Sequence, residues 1–91
     1  MTLQILSSPS EQTEKVLREA IETAIPGSEV IVNTGGAGHF EVQVTAAAFA
    51  GKNRVAQQRM VYSAISHLMS GDTAPVHAID KMEIRLPSTD S

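Results

Sequence analysis

Apolar and polar residues alternate most cleanly from His39 to Thr45, with Phe40, Val42 and Val44 on one side of an extended chain and His39, Glu41, Gln43 and Thr45 on the other. A period of two predicts a strand with one buried face. Glu29 to Asn33 is short and β-branched, which predicts a hairpin partner joined through Thr34-Gly35-Gly36-Ala37-Gly38. A further extended segment begins at Val76, with Met82, Ile84 and Leu86 on one side and Lys81, Glu83 and Arg85 on the other, and stops at Pro87. The helical period appears twice. Val16, Leu17, Ala20, Ile21, Ala24 and Ile25 form one stripe of a helix expected from Pro9 to about Ala24. Ser8 is placed to cap it, Pro9 takes the first helical position, Glu11 can return the capping-box bond, and Pro26-Gly27 end it. Val55, Val61, Tyr62, Ile65, Leu68 and Met69 make the expected buried side of a longer helix that Asn53 caps and Ser70-Gly71 terminate. Lys52, Arg54, Gln57 and Arg59 are left for its exposed rim, and Ala46 to Ala50 predicts one short helical turn before it. The expected order is α-β-β-α-α-β. This is an α/β (α+β) arrangement with helices packed on one face of a three-stranded mixed sheet.

Size and composition narrow what such a fold can do. Ninety-one residues suit one domain spanning 1–91, with a short lead at 1–7, either an added strand or disordered, and a flexible tail at 88–91. Cysteine is absent, so neither a disulfide nor a thiolate metal site within the chain can hold it together. No apolar run approaches the roughly 20 residues of a membrane span, and the first residues lack a secretory pattern, so a cytoplasmic location is expected. The net charge of −3 argues against general nucleic-acid binding, which rests on Lys and Arg displacing counterions from phosphates. Acidic residues gather in the first helix (Glu11, Glu14, Glu19, Glu22), while Lys52, Arg54 and Arg59 sit together in the central stretch. No serine stands in a nucleophile elbow and no carboxylate pair is set for hydrolysis, so no catalytic residue is assigned and the chain reads as a non-enzyme.

The centre of the chain carries a more specific signal. Phe49-x-Gly51-x-x-Arg54-Val55, followed by Gln58-Arg59-Met60-Val61-Tyr62, resembles the signature of the BolA-like proteins, and Val76-His77-Ala78 resembles the step that opens their last strand. The resemblance runs from about Val16 to Leu86, and Gln58, where many members have His, is similar to the short acid-response branch. It implies a class II KH-like topology. One departure is that the chain between His77 and Pro87 is a residue longer than is usual, which predicts a bulge, or else an unassigned register, near Asp80-Lys81.

The resemblance also bears on the histidines. His77 matches the residue that serves BolA-like proteins as an iron ligand in complexes with monothiol glutaredoxins. Their second ligand, a Cys or His in the first hairpin loop, has no direct counterpart, since Ala37 stands where cysteine-bearing relatives read Gly-Gly-Cys-Gly. His39 is the candidate in its place, or else a histidine of the sheet face; His67, near the end of the long helix, fits a structural role. The glycine loop itself, read on its own, need only turn the chain.

The function implied is an adaptor, monomeric alone, that forms a heterodimer with a monothiol glutaredoxin and shares a [2Fe-2S] cluster, in iron-sulfur trafficking, iron homeostasis and stress response. Imidazole suits iron and changes a cluster's potential and lability. The alternative is a KH-like nucleic-acid-binding transcriptional regulator using Lys52, Asn53, Arg54 and Arg59. It is weakened by Arg54 standing where a KH clamp needs its second glycine, and by the scarcity of aromatic residues.

Overall fold

The computed structural model describes residues 8–88. Helix α1 spans Pro9–Ala24, strands β1 and β2 span Glu29–Thr34 and His39–Thr45, and a 3₁₀ turn follows at Ala47–Phe49. Helix α2 covers Arg54–Ile65, a second 3₁₀ turn covers Ser66–Leu68, and strand β3 covers Ala78–Arg85. The order is the expected one, with the 3₁₀ turn after β2 as the first of the two central helical elements. The lead at 1–7 lies outside the described residues, as does the tail beyond Ser88.

Both helices start as their sequences require. The Ser8 hydroxyl accepts from the Glu11 amide while the Glu11 carboxylate accepts from the Ser8 amide, each at 3.1 Å, closing the capping box. Asn53 caps α2 by accepting from the Ala56 amide at 2.8 Å. Regular helix stops at Ile65, short of Ser70-Gly71, because the chain there tightens into i→i+3 bonds, and the Ser70 hydroxyl binds the Ser66 carbonyl. Three residues of 3₁₀ make about one full turn, so Leu68 returns to the side of Ile65 and is buried with it.

The sheet has order β1-β2-β3, with β1 antiparallel and β3 parallel to β2. Opposite Phe40, Val42 and Val44 lie Ile79, Met82 and Ile84, so one residue of β3, Asp80, is skipped between the partners of Phe40 and Glu41. This is the expected bulge. Its effect on packing is direct: two residues separate Ile79 from Met82, and only an inserted residue lets both point to the same face.

That face meets α1 and α2 across a core of Leu17, Ile21 and Ile25, the three inward residues of β2, Phe49, and Val61, Ile65 and Leu68, closed by Val76 before β3. Five residues expected inside are exposed: Val16 (43%), Ala24, Val55 (55%), Tyr62 (41%) and Leu86 (54%). The helical geometry explains three of them. Leu17, Ile21 and Ile25 repeat every four residues and leave Val16 at the flank; Val61 and Ile65 point within about 40° of each other, while Tyr62 lies about 80° and Val55 about 100° around the helix from the direction midway between them. Leu86 follows Arg85, the last residue paired with β2, and so has no strand beside it. Among the described residues no helix covers the opposite face of the sheet, which shows Ile31, Asn33, Glu41, Gln43, Lys81 and Glu83. On it Arg85 donates to Glu83 at 2.7 Å, and that bond, with the charge of Arg85, holds the Glu83 carboxyl below its ordinary range.

Gln57 is not the rim residue expected. Its Nε2 donates to the carbonyls of Phe49 and Lys52, both at 3.0 Å, and ties the 3₁₀ turn and the Gly51 bend to α2. A rim position implies a cost under about 0.5 kcal/mol for Gln57→Ala. Gln57→Ala removes both bonds, the Phe49 carbonyl keeping only its bond from the Lys52 amide, and the expected loss is about 1 kcal/mol in denaturant unfolding, against little change for Gln58→Ala.

Candidate metal centre at the hairpin corner

The chain reverses between β1 and β2 through Gly35 to Gly38, with the Gly35 amide donating to the His39 carbonyl at 2.8 Å and the His39 amide to the Gly36 carbonyl at 2.9 Å. Gly38 then takes φ +76° and turns its carbonyl toward the start of β3, where it accepts from His77 (2.8 Å) and Ala78 (3.1 Å). Ala78 is also the register partner of His39. The crossing of Gly38 and Ala78 therefore brings His39 and His77, far apart in sequence, to one corner of the sheet. Both are exposed.

Each imidazole is held from one side. The His77 ring lies on Gly38: a Cβ at that glycine would come within 2.8 Å of its Cγ and Nδ1. The ring makes no side-chain hydrogen bond among the described residues. His39 points its Nδ1 at the Asp80 carboxylate, 3.0 Å away, with both side chains nearly half exposed. Neutral imidazole is a good donor to iron and other transition metals, and two such rings facing solvent at one corner suit an iron site. Among the described residues no three His, Cys, Asp or Glu side chains group as a metal ion would need, so a metal bound here would draw ligands from outside them.

The loop is thus more than a turn. Gly38 is required by its left-handed backbone and by the ring seated on it, neither of which spacing alone reveals. Gly38→Ala would add about 1–2 kcal/mol of backbone strain and collide with the His77 ring. The expected result is a measurable loss of stability together with shifted His77 ring resonances. Gly36→Ala, at a position with no positive φ and no neighbour within 4 Å, should leave both nearly unchanged.

The remaining candidates lie elsewhere. His67 is exposed on the second 3₁₀ turn and borders the groove between α1 and α2 with Glu19, Thr23 and Ser63. Gly51 bends with φ +78°, and Lys52, Asn53 and Arg54 follow at the start of α2, all exposed. Arg54 and Gln58 flank a polar crevice above Met82 and Ile84. Arg59, also exposed, is five residues beyond Arg54 and so about 140° around the helix, off that side. Among the described residues no helix is long and apolar enough to cross a membrane.

Comparison with known proteins agrees with this architecture. A BolA homologue from Coxiella burnetii superposes with a TM-score of 0.66 at 26% identity, over 91% of this chain and 94% of its own. A bol-like protein from Babesia bovis gives 0.63 at 25% identity, over 92% and 88%. Mouse BolA1 gives 0.66 at 25% identity, over 96% and 75%. No curated protein sequence matches the chain. The family model for BolA-like protein, however, matches residues 10–85, from the first turn of α1 to the last residue of β3, and the chain belongs to the BolA-like family.

Proposed function

We propose that this BolA-like protein is a non-catalytic adaptor that lends imidazole ligands to a [2Fe-2S] cluster shared with a monothiol glutaredoxin. The observation that carries the reading is the convergence of His77 and His39, both exposed, at the Gly38–Ala78 crossing. His77, seated on Gly38, is the principal ligand; His39 takes the place of the missing loop cysteine. The chain contributes two neutral nitrogen donors and no thiolate, so the sulfur ligands come from the partner, whose cysteine and bound glutathione supply them. Bound there, the cluster provides a transferable iron-sulfur unit. Mixed nitrogen and sulfur ligation raises its potential relative to all-thiolate ligation and makes it easier to pass on, which fits a role in iron-sulfur trafficking and iron homeostasis.

Native mass spectrometry after anaerobic reconstitution tests this. Mixed with a monothiol glutaredoxin, the chain is expected in a one-to-one heterodimer carrying one cluster, whereas alone it should carry none. A mixture in which every cluster stays with glutaredoxin homodimers would refute the adaptor reading.

A further inference from the structure

We propose that Asp80, placed by the bulge in β3, is a positioning residue that fixes the tautomer and direction of His39. The part of this that concerns metal ligation rests on the function proposed above; the part that concerns the tautomer does not. In an unbroken ladder Asp80 would stand opposite Glu41, putting two carboxylates side by side. The inserted residue gives Lys81 to Glu41 instead and frees Asp80 from pairing. The freed carboxylate turns back along the strand, with Oδ1 3.0 Å from His39 Nδ1 and Oδ2 3.7 Å from where a Cβ of Gly35 would be.

An ionised carboxylate only accepts hydrogen bonds, so the proton of neutral His39 must sit on Nδ1. Nε2 is then the lone-pair nitrogen, and no partner for it lies among the described residues. A histidine without such a neighbour prefers the opposite tautomer in water, with Nε2 protonated and unable to ligate. The arrangement is that of a metal-ligating histidine held from behind by a carboxylate, which orients the ring and makes the free nitrogen a better donor. Stability does not account for the pair, since an ion pair this exposed contributes about 0–1 kcal/mol.

The test has two arms. In the free protein near pH 8.5, well above the ordinary imidazole value of about 6.5, nitrogen-15 NMR should show His39 as the Nδ1–H tautomer. Asp80→Ala should move it toward Nε2–H, and Asp80→Asn, whose amide oxygen still accepts, should restore much of the first form. His39 already in the Nε2–H form, or unchanged by Asp80→Ala, would overturn the positioning role whether or not any cluster forms. In the reconstituted complex with monothiol glutaredoxin, Asp80→Ala should speed cluster loss to a chelator by about 10–100-fold, the usual effect of removing a carboxylate behind a ligating histidine. In a His39→Ala background it should add nothing. A tautomer change with unaltered cluster loss would overturn the ligand role of His39. No mixed cluster even with the unsubstituted chain would sink that role and the adaptor reading together, while the NMR arm still decides what Asp80 does.

Discussion

Phe49→Ala is expected to lower unfolding free energy by about 3–5 kcal/mol, the range for removing a fully buried aromatic ring. Phe49 is 0% exposed although it sits on a three-residue 3₁₀ turn, so its ring fills core space that no regular element reaches. A chain of this size has a total stability of roughly 0.05–0.15 kcal/mol per residue, so the loss is about a fifth of the whole at least and comparable with all of it at the lower end of that range. The substitution keeps the Phe49 carbonyl, which accepts from Lys52 and from Gln57 and ties the bend at Gly51 to α2, so the loss is that of the ring. Ile65→Ala, also at 0% exposure, should cost about 2–4 kcal/mol, and Val55→Ala, 55% exposed, under about 0.5. Urea unfolding of the three variants checks the order. Equal losses for Ile65→Ala and Val55→Ala would mean that α2 presents a different side to the sheet.

The contrast between Ile65 and Val55 shows what the sequence could and could not tell. Alternation over seven residues of β2 and the capping box at Ser8 are local signals, and both led to the right elements at the right positions. The extra residue before Pro87 pointed to a bulge or a changed register near Asp80-Lys81, and the strand pairing decides for the bulge. The width of a helix's buried side is not local: it depends on what packs beside it, so Val16, Val55 and Tyr62 were placed inside on spacing alone. Leu86 failed for a similar reason, because where β3 loses its partner depends on where β2 ends. Gln57 looked like a rim residue because its acceptors are backbone carbonyls, which no side-chain pattern records.

The corner site divides the same way. His77 and His39 were legible as candidates, one from the family resemblance and one by its place beside the loop. That they meet was not, since it depends on the pairing of His39 with Ala78 across strands distant in sequence. Gly38 and Asp80 went unread as parts of the site. Gly38 stood in a run of glycines that any turn would accept, and Asp80 acquires its role only once the register shift frees it from the ladder.

Substitution of His77 is the second change with a large expected effect, and it bears on the claim that this corner completes a shared cluster. His77→Ala should leave the fold intact, because the side chain is exposed and Gly38 accepts from the backbone amides of residues 77 and 78, which the substitution keeps. What it removes is one nitrogen donor. The direct measurement is visible circular dichroism of the cluster reconstituted with this chain and a monothiol glutaredoxin together, compared with the glutaredoxin alone. With the unsubstituted chain the mixture should show a spectrum distinct from the homodimer's, since imidazole has replaced a thiolate ligand. With His77→Ala that difference should vanish, while His67→Ala should leave it unchanged. A mixed spectrum that is the plain sum of its parts, or one that survives His77→Ala, would contradict the account.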